Sequence, residues 1–116
     1  MKLICIAVVA MVCAFTGNNR LTGTWQRLSS SGNIHTITFT ADNTFEMQVN
    51  GTPRVSGDYS LTDSIFSIED FGCPDMKGTY KIKFFGNCDS CRFEAICDPC
   101  DARVLQANGA VLFKVK

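Results

Sequence analysis

Between residues 23 and 115 apolar and polar side chains alternate in eight short runs, separated by turn-forming residues. That period of two belongs to strands with one buried face and one wet face. The runs are residues 23–29, 34–40, 44–50, 54–61, 64–69, 79–84, 92–97 and 109–115. In the second, His35, Ile37 and Phe39 share a face opposite Thr36, Thr38 and Thr40. The same phase groups Phe45, Met47 and Val49, then Val55, Gly57, Tyr59 and Leu61. Later it groups Tyr80, Ile82 and Phe84, then Phe93 with Ala95, then Val111, Phe113 and Val115. The run at 64–69 is more uniformly apolar. Ala41-Asp42-Asn43 reads as a turn, and Asn50-Gly51 as a tight hairpin because both residues accept positive φ. Eight strands at this spacing imply an all-β barrel or sandwich. Eight antiparallel strands close well into a barrel that is filled by side chains or holds one small ligand. No window shows helical periodicity, so no helix is expected, and no repeat or linker divides the chain.

The first residues have a different character. Met1-Lys2 is a short basic start, and residues 3–15 form an apolar run too short for a mature transmembrane helix. Val12-Cys13-Ala14 suits signal-peptide cleavage after Ala14, with Thr16 or Gly17 as alternative sites. The expected product is one domain over residues 18–116, secreted, soluble and extracellular. At about 100 residues it can build a single core but gains from covalent staples. Lys and Arg total 11 against 11 Asp and Glu, with no basic stripe, which gives nucleic-acid binding no electrostatic support. No second run is long enough for a membrane span.

The only Trp stands in Gly23-Thr24-Trp25, at the start of the first strand-like run. Further short motifs follow: Ile37-Thr38-Phe39-Thr40 with the turn Asp42-Asn43-Thr44, Gly57-Asp58-Tyr59-Ser60-Leu61, Cys73-Pro74 ahead of Gly78-Thr79-Tyr80, and Asp98-Pro99-Cys100-Asp101-Ala102-Arg103. In these features the chain resembles the compact lipocalin-like (calycin-type) β-barrel domains of small secreted proteins. The resemblance implies an eight-stranded antiparallel up-and-down barrel, stapled by disulfide, with one end closed and the other open to a cavity. It implies that Gly23 and Trp25 are structural, the indole acting as a plug under a late basic residue. Arg103 is the first choice for that residue and Lys114 the second. It also places Cys73 and Cys100 at paired positions.

Cys5 and Cys13 leave with the leader, so Cys73, Cys88, Cys91, Cys97 and Cys100 remain, an odd number. Disulfides are the default in a small secreted domain. Beside the bridge that the resemblance implies, Cys88 and Cys91 flank Asp89-Ser90 and are expected to form a tight loop bridge. That leaves Cys97 as a free or intermolecular thiol. Zinc is not expected: a strand over residues 92–96 would hold Cys91 and Cys97 roughly 20 Å apart, far beyond one tetrahedral site. Neither Cys-x-x-Cys precedes a predicted helix, which a redox pair uses to lower its thiol pKa.

His35, the single histidine, reads two ways: a donor at the mouth of the barrel, or a strand-end side chain bonded to backbone or water. No Ser or Cys stands in a context that pairs it with His35, so no catalytic residues, enzymatic activity, metal or cofactor is expected. Asn50-Gly51-Thr52 is a glycosylation sequon on a surface hairpin. The inward set His35, Ile37, Phe39, Phe45, Met47, Val49, Tyr59, Tyr80, Ile82, Phe93 and Phe113 can line an apolar pocket or simply fill the barrel. The function expected first is a secreted carrier or scavenger of a small hydrophobic molecule. The alternatives are a protein-binding module such as a protease inhibitor, and a structural or matrix protein joined through its odd Cys.

Overall fold

The computed structural model describes residues 20–115. Eight strands run in chain order: β1 (Gly23–Leu28), β2 (Ile34–Phe39), β3 (Thr44–Val49), β4 (Thr52–Thr62), β5 (Ile65–Asp70), β6 (Gly78–Phe85), β7 (Ser90–Cys97) and β8 (Val111–Lys114). A short helix, α1 (Asp101–Ala107), separates β7 from β8. Each strand pairs antiparallel with the next, and β8 returns to β1 through Trp25↔Lys114 and Gln26↔Phe113. The result is a closed up-and-down barrel with no free sheet edge.

Turn chemistry sets this register. Asn50 and Gly51 have φ of 51° and 83° and make the two-residue link from β3 to β4. Asn43 and Asp63 also take positive φ, at 69° and 56°, in the turns at the opposite end. Halfway along β4, Gly57 lies so close to β5 that a Cβ would stand 2.0 Å from the Glu69 carbonyl oxygen. Only glycine lets the strand bend there. The core is aromatic. Phe39 meets Tyr59 edge-on at 5.0 Å between ring centroids, and Phe66 meets Phe93 in the same way at 5.0 Å.

Two expectations are overturned here. First, α1 exists. It has seven residues, and no apolar one among them is fully buried, so it presents no apolar stripe that periodicity could reveal. Five of its seven residues are good helix formers, and other contacts hold its two ends, as described below. Second, the phase of β8 is reversed. Leu112 is buried at 2% exposure whereas Phe113 is 56% exposed. The run Val111-Leu112-Phe113 is apolar on both faces, so alternation alone cannot fix which face turns inward. On the outer face Phe113 is the register partner of Ser90, which pairs with Phe85 on its other side.

Candidate functional site

One end of the barrel is sealed. Trp25 is fully buried, and its indole Nε1 donates to the Leu21 carbonyl at 2.8 Å. Phe84 packs beside it at 6.3 Å, and the Arg20 guanidinium lies 4.9 Å over the Phe84 ring while donating to the Asp63 carbonyl. The cation over the indole is Lys114, its Nζ 5.5 Å from the ring centroid. Arg103, the expected partner, is not there. The β1–β8 register places Lys114 beside Trp25, while Arg103 sits on α1 at the other end of the barrel.

At that other end the sequence motifs converge. Cys73, in the β5–β6 loop, is bonded to Cys100 at the start of α1, with Cα atoms 6.1 Å apart. Arg103 donates through Nε and Nη2 to Asp98 at 2.7 Å each, through Nη1 to Asp70 at 2.9 Å, and through Nη2 to the Met76 carbonyl at 2.6 Å. Asp98 also accepts from the Tyr80 hydroxyl and, at 2.9 Å, from the Cys100 backbone N–H. Gly78 lies against this carboxylate, where a Cβ would come within 2.5 Å of its Oδ2. All three charged side chains are buried: Arg103 8%, Asp70 7% and Asp98 0% exposed. Burial pushes Asp98 up, but hydrogen bonds from Arg103 and Tyr80 and the adjacent guanidinium charge hold it below the usual carboxylate range. Burial and the Asp98 carboxylate together raise Tyr80, so its phenol stays protonated. The far end of α1 is tied down by Arg27, whose Nη1 donates to the Gln106 carbonyl at 2.7 Å.

Beneath this staple lies a cavity of about 240 Å³. Among the sequence candidates, Ile37, Phe39, Phe45, Met47, Tyr80 and Phe93 line it, together with His35. The other four candidates do not. Ile82 and Tyr59 are buried in the packed core, the Tyr59 hydroxyl donating to the Thr40 carbonyl at 2.8 Å, and Val49 stands half-buried outside the lining. Phe113 faces outward, for the reason given above. Residues not foreseen also line the cavity: Phe66 and Ile68 from β5, Arg27 from β1 and Gln106 from α1. The signal for Arg27 was present, because it stands two residues after Trp25 and therefore shares its face.

The charged side chains of the lining and its histidine fall into two pairs. Asp70 and Arg103 are paired with each other. Arg27 and His35 face each other across β1 and β2 in the register Arg27↔His35. Burial, and then the Arg27 charge, hold His35 below the ordinary histidine range, so the ring is neutral at pH 7.

The remaining cysteines require a correction. Cys88 is disulfide-bonded, but not to Cys91, which is a free and fully buried thiol. Cys88 occupies the β6–β7 turn at φ 67°, whereas Cys91 points into the barrel between its cross-strand neighbours Phe84 and Leu112. Burial pushes the Cys91 thiol up to about 12. Cys97 is free and exposed at the far end of β7. Among the described residues no three His, Cys, Asp or Glu side chains stand close enough to hold a metal ion. Asn50 is exposed on its hairpin, and its amide is engaged, donating to Asn33 Oδ1 at 3.0 Å and accepting from the Ile34 N–H at 2.9 Å. No helix of the described residues is long and apolar enough to cross a membrane. The leader expected at residues 1–14 lies outside the described residues. Compared with known proteins, the chain matches no protein-family model, no curated protein and no solved structure.

Proposed function

We propose that this chain is a secreted lipocalin-like carrier that holds one small, largely apolar molecule inside its barrel. The observation that carries this reading is the cavity of about 240 Å³, walled by Ile37, Phe39, Phe45, Met47, Phe66 and Phe93. A concave apolar site with few polar groups is the usual form of a small-molecule pocket. Its volume lies just under the common range of about 300–1,000 Å³, which favours a compact ligand. The closed barrel and the plugged Trp25 end support the lipocalin-like assignment, and the Cys73–Cys100 bridge supports an oxidising, extracellular location.

A second reading, a protein-binding module, draws on the rim of the mouth. Leu28, Phe71 and Leu105 there are 72%, 82% and 85% exposed. Large exposed apolar side chains gathered in one place mark interaction surfaces.

Native mass spectrometry on the non-reduced protein from its natural source separates the two. The carrier reading expects a reproducible added mass of a few hundred daltons that is lost on denaturation. A bare monomer would instead move the assignment to the protein-binding module. A disulfide-linked dimer through Cys97 would point to a structural role.

A further inference from the structure

The cavity is apolar over most of its wall and cationic at one place. Arg27 and His35 are neighbours across β1 and β2, and both line the cavity. The other charges in the lining, Asp70 and Arg103, are paired at 2.9 Å, and Arg103 is also paired with Asp98. Among the described residues neither Arg27 nor His35 meets a carboxylate. Arg27 spends one N–H on the Gln106 carbonyl, which fixes the side chain at the cavity wall and leaves its other donors unassigned. An arginine so placed has a planar fork that suits a two-oxygen acid.

We propose that the molecule taken up is an amphiphile with a single carboxylate, its head on Arg27 and His35 and its short apolar tail packed against Ile37, Phe45, Met47 and Phe93. This rests on the carrier reading above and adds the chemistry of the head group. The carboxylate accepts from the guanidinium, and the neutral imidazole donates its one N–H. A neutral head would leave the Arg27 charge uncompensated in the cavity wall, and a cationic head would be repelled by it. The modest volume limits the tail to a medium-length chain rather than a long one.

Isothermal titration calorimetry with decanoate and decanol, on the full disulfide-bonded protein, tests this directly. Decanoate is expected to bind one to one and at least about ten-fold more tightly than decanol, the usual scale of a charge-assisted hydrogen bond. In Arg27→Gln that preference is expected to vanish, with circular dichroism and thermal unfolding reporting that the barrel remains folded. Arg27→Lys, which keeps the charge but not the fork, is expected to restore part of the preference. Equal affinity for both probes in the unaltered protein would overturn the head-group assignment and leave the carrier reading standing. So would an Arg27→Gln protein that still prefers decanoate. Binding of neither probe would overturn both.

Discussion

Lys114, in the last strand, lies over the indole of Trp25 in the first, and its Nζ is 5.5 Å from the ring centroid. The pair sits where the barrel closes, because Trp25 and Lys114 are also register partners between β1 and β8. Removing the cation in Lys114→Ala is expected to cost about 0.5–2 kcal/mol. Lys114→Met, which keeps the stem over the ring, is expected to cost less than Lys114→Ala. Urea unfolding followed by Trp25 fluorescence measures both.

The Arg103 network should be far less tolerant. Its three charges are buried, and removing one partner strands the others. Arg103→Leu leaves two carboxylates unpaired and is expected to destabilise by about 3–5 kcal/mol. A double-mutant cycle with Asp98→Asn checks the assignment, since Asp98 takes two of the four Arg103 hydrogen bonds. Strong coupling is expected, and additive losses would contradict the network.

The same carboxylate predicts an acid limit. Asp98 is held below its ordinary range in the folded barrel, so the unfolded chain takes up its proton first. The stability it contributes is complete above about pH 4 and is lost as pH falls through the lower, folded value. Stability measured from pH 5 downward is expected to fall, and the fall is expected to be shallower in Asp98→Asn. An unchanged pH slope in that variant would remove Asp98 from the cause.

The two free thiols among the described residues should differ sharply. Cys97 is exposed, whereas Cys91 is buried with its thiol pushed up to about 12. At pH 8 a thiol reagent is expected to label Cys97 quickly in the native protein, and Cys91 only after unfolding. Peptide mapping after labelling identifies the site. Rapid native labelling of Cys91 would mean that β7 is open.

Much of this architecture could be read from the chain because alternation and turns are local. Strand order follows from residues such as Asn50-Gly51, whose backbone preference acts without knowledge of the rest of the fold. The plug at Trp25 and the Cys73–Cys100 bridge came from resemblance, and the structure contains both. What could not be read depended on surroundings. Helix α1 fully buries no apolar residue, so its stability comes from Cys100, Arg103 and the Arg27–Gln106 contact rather than from an apolar face of its own. Val111-Leu112-Phe113 is apolar at every position, so only pairing with β7 and β1 chooses its inner face. Cys91 looked like a loop partner for Cys88 by spacing, yet strand β7 turns it inward. Part of the cavity wall escaped notice for a related reason: Ile65 beside Phe66 blurs the alternation of β5, and a charged residue such as Arg27 does not announce itself as interior.

The closure of β8 on β1 has a consequence for biogenesis. The strand that closes the sheet on β1 is β8, which follows the other seven along the chain. Until Lys114 reaches Trp25, β1 and β7 each carry an unpaired edge able to recruit a neighbouring chain. A chain made N-terminus first therefore cannot complete this sheet until β8 has emerged. Loss of β8 would leave two open edges, a molecule far more inclined to associate than one with a similar loss in an exposed loop.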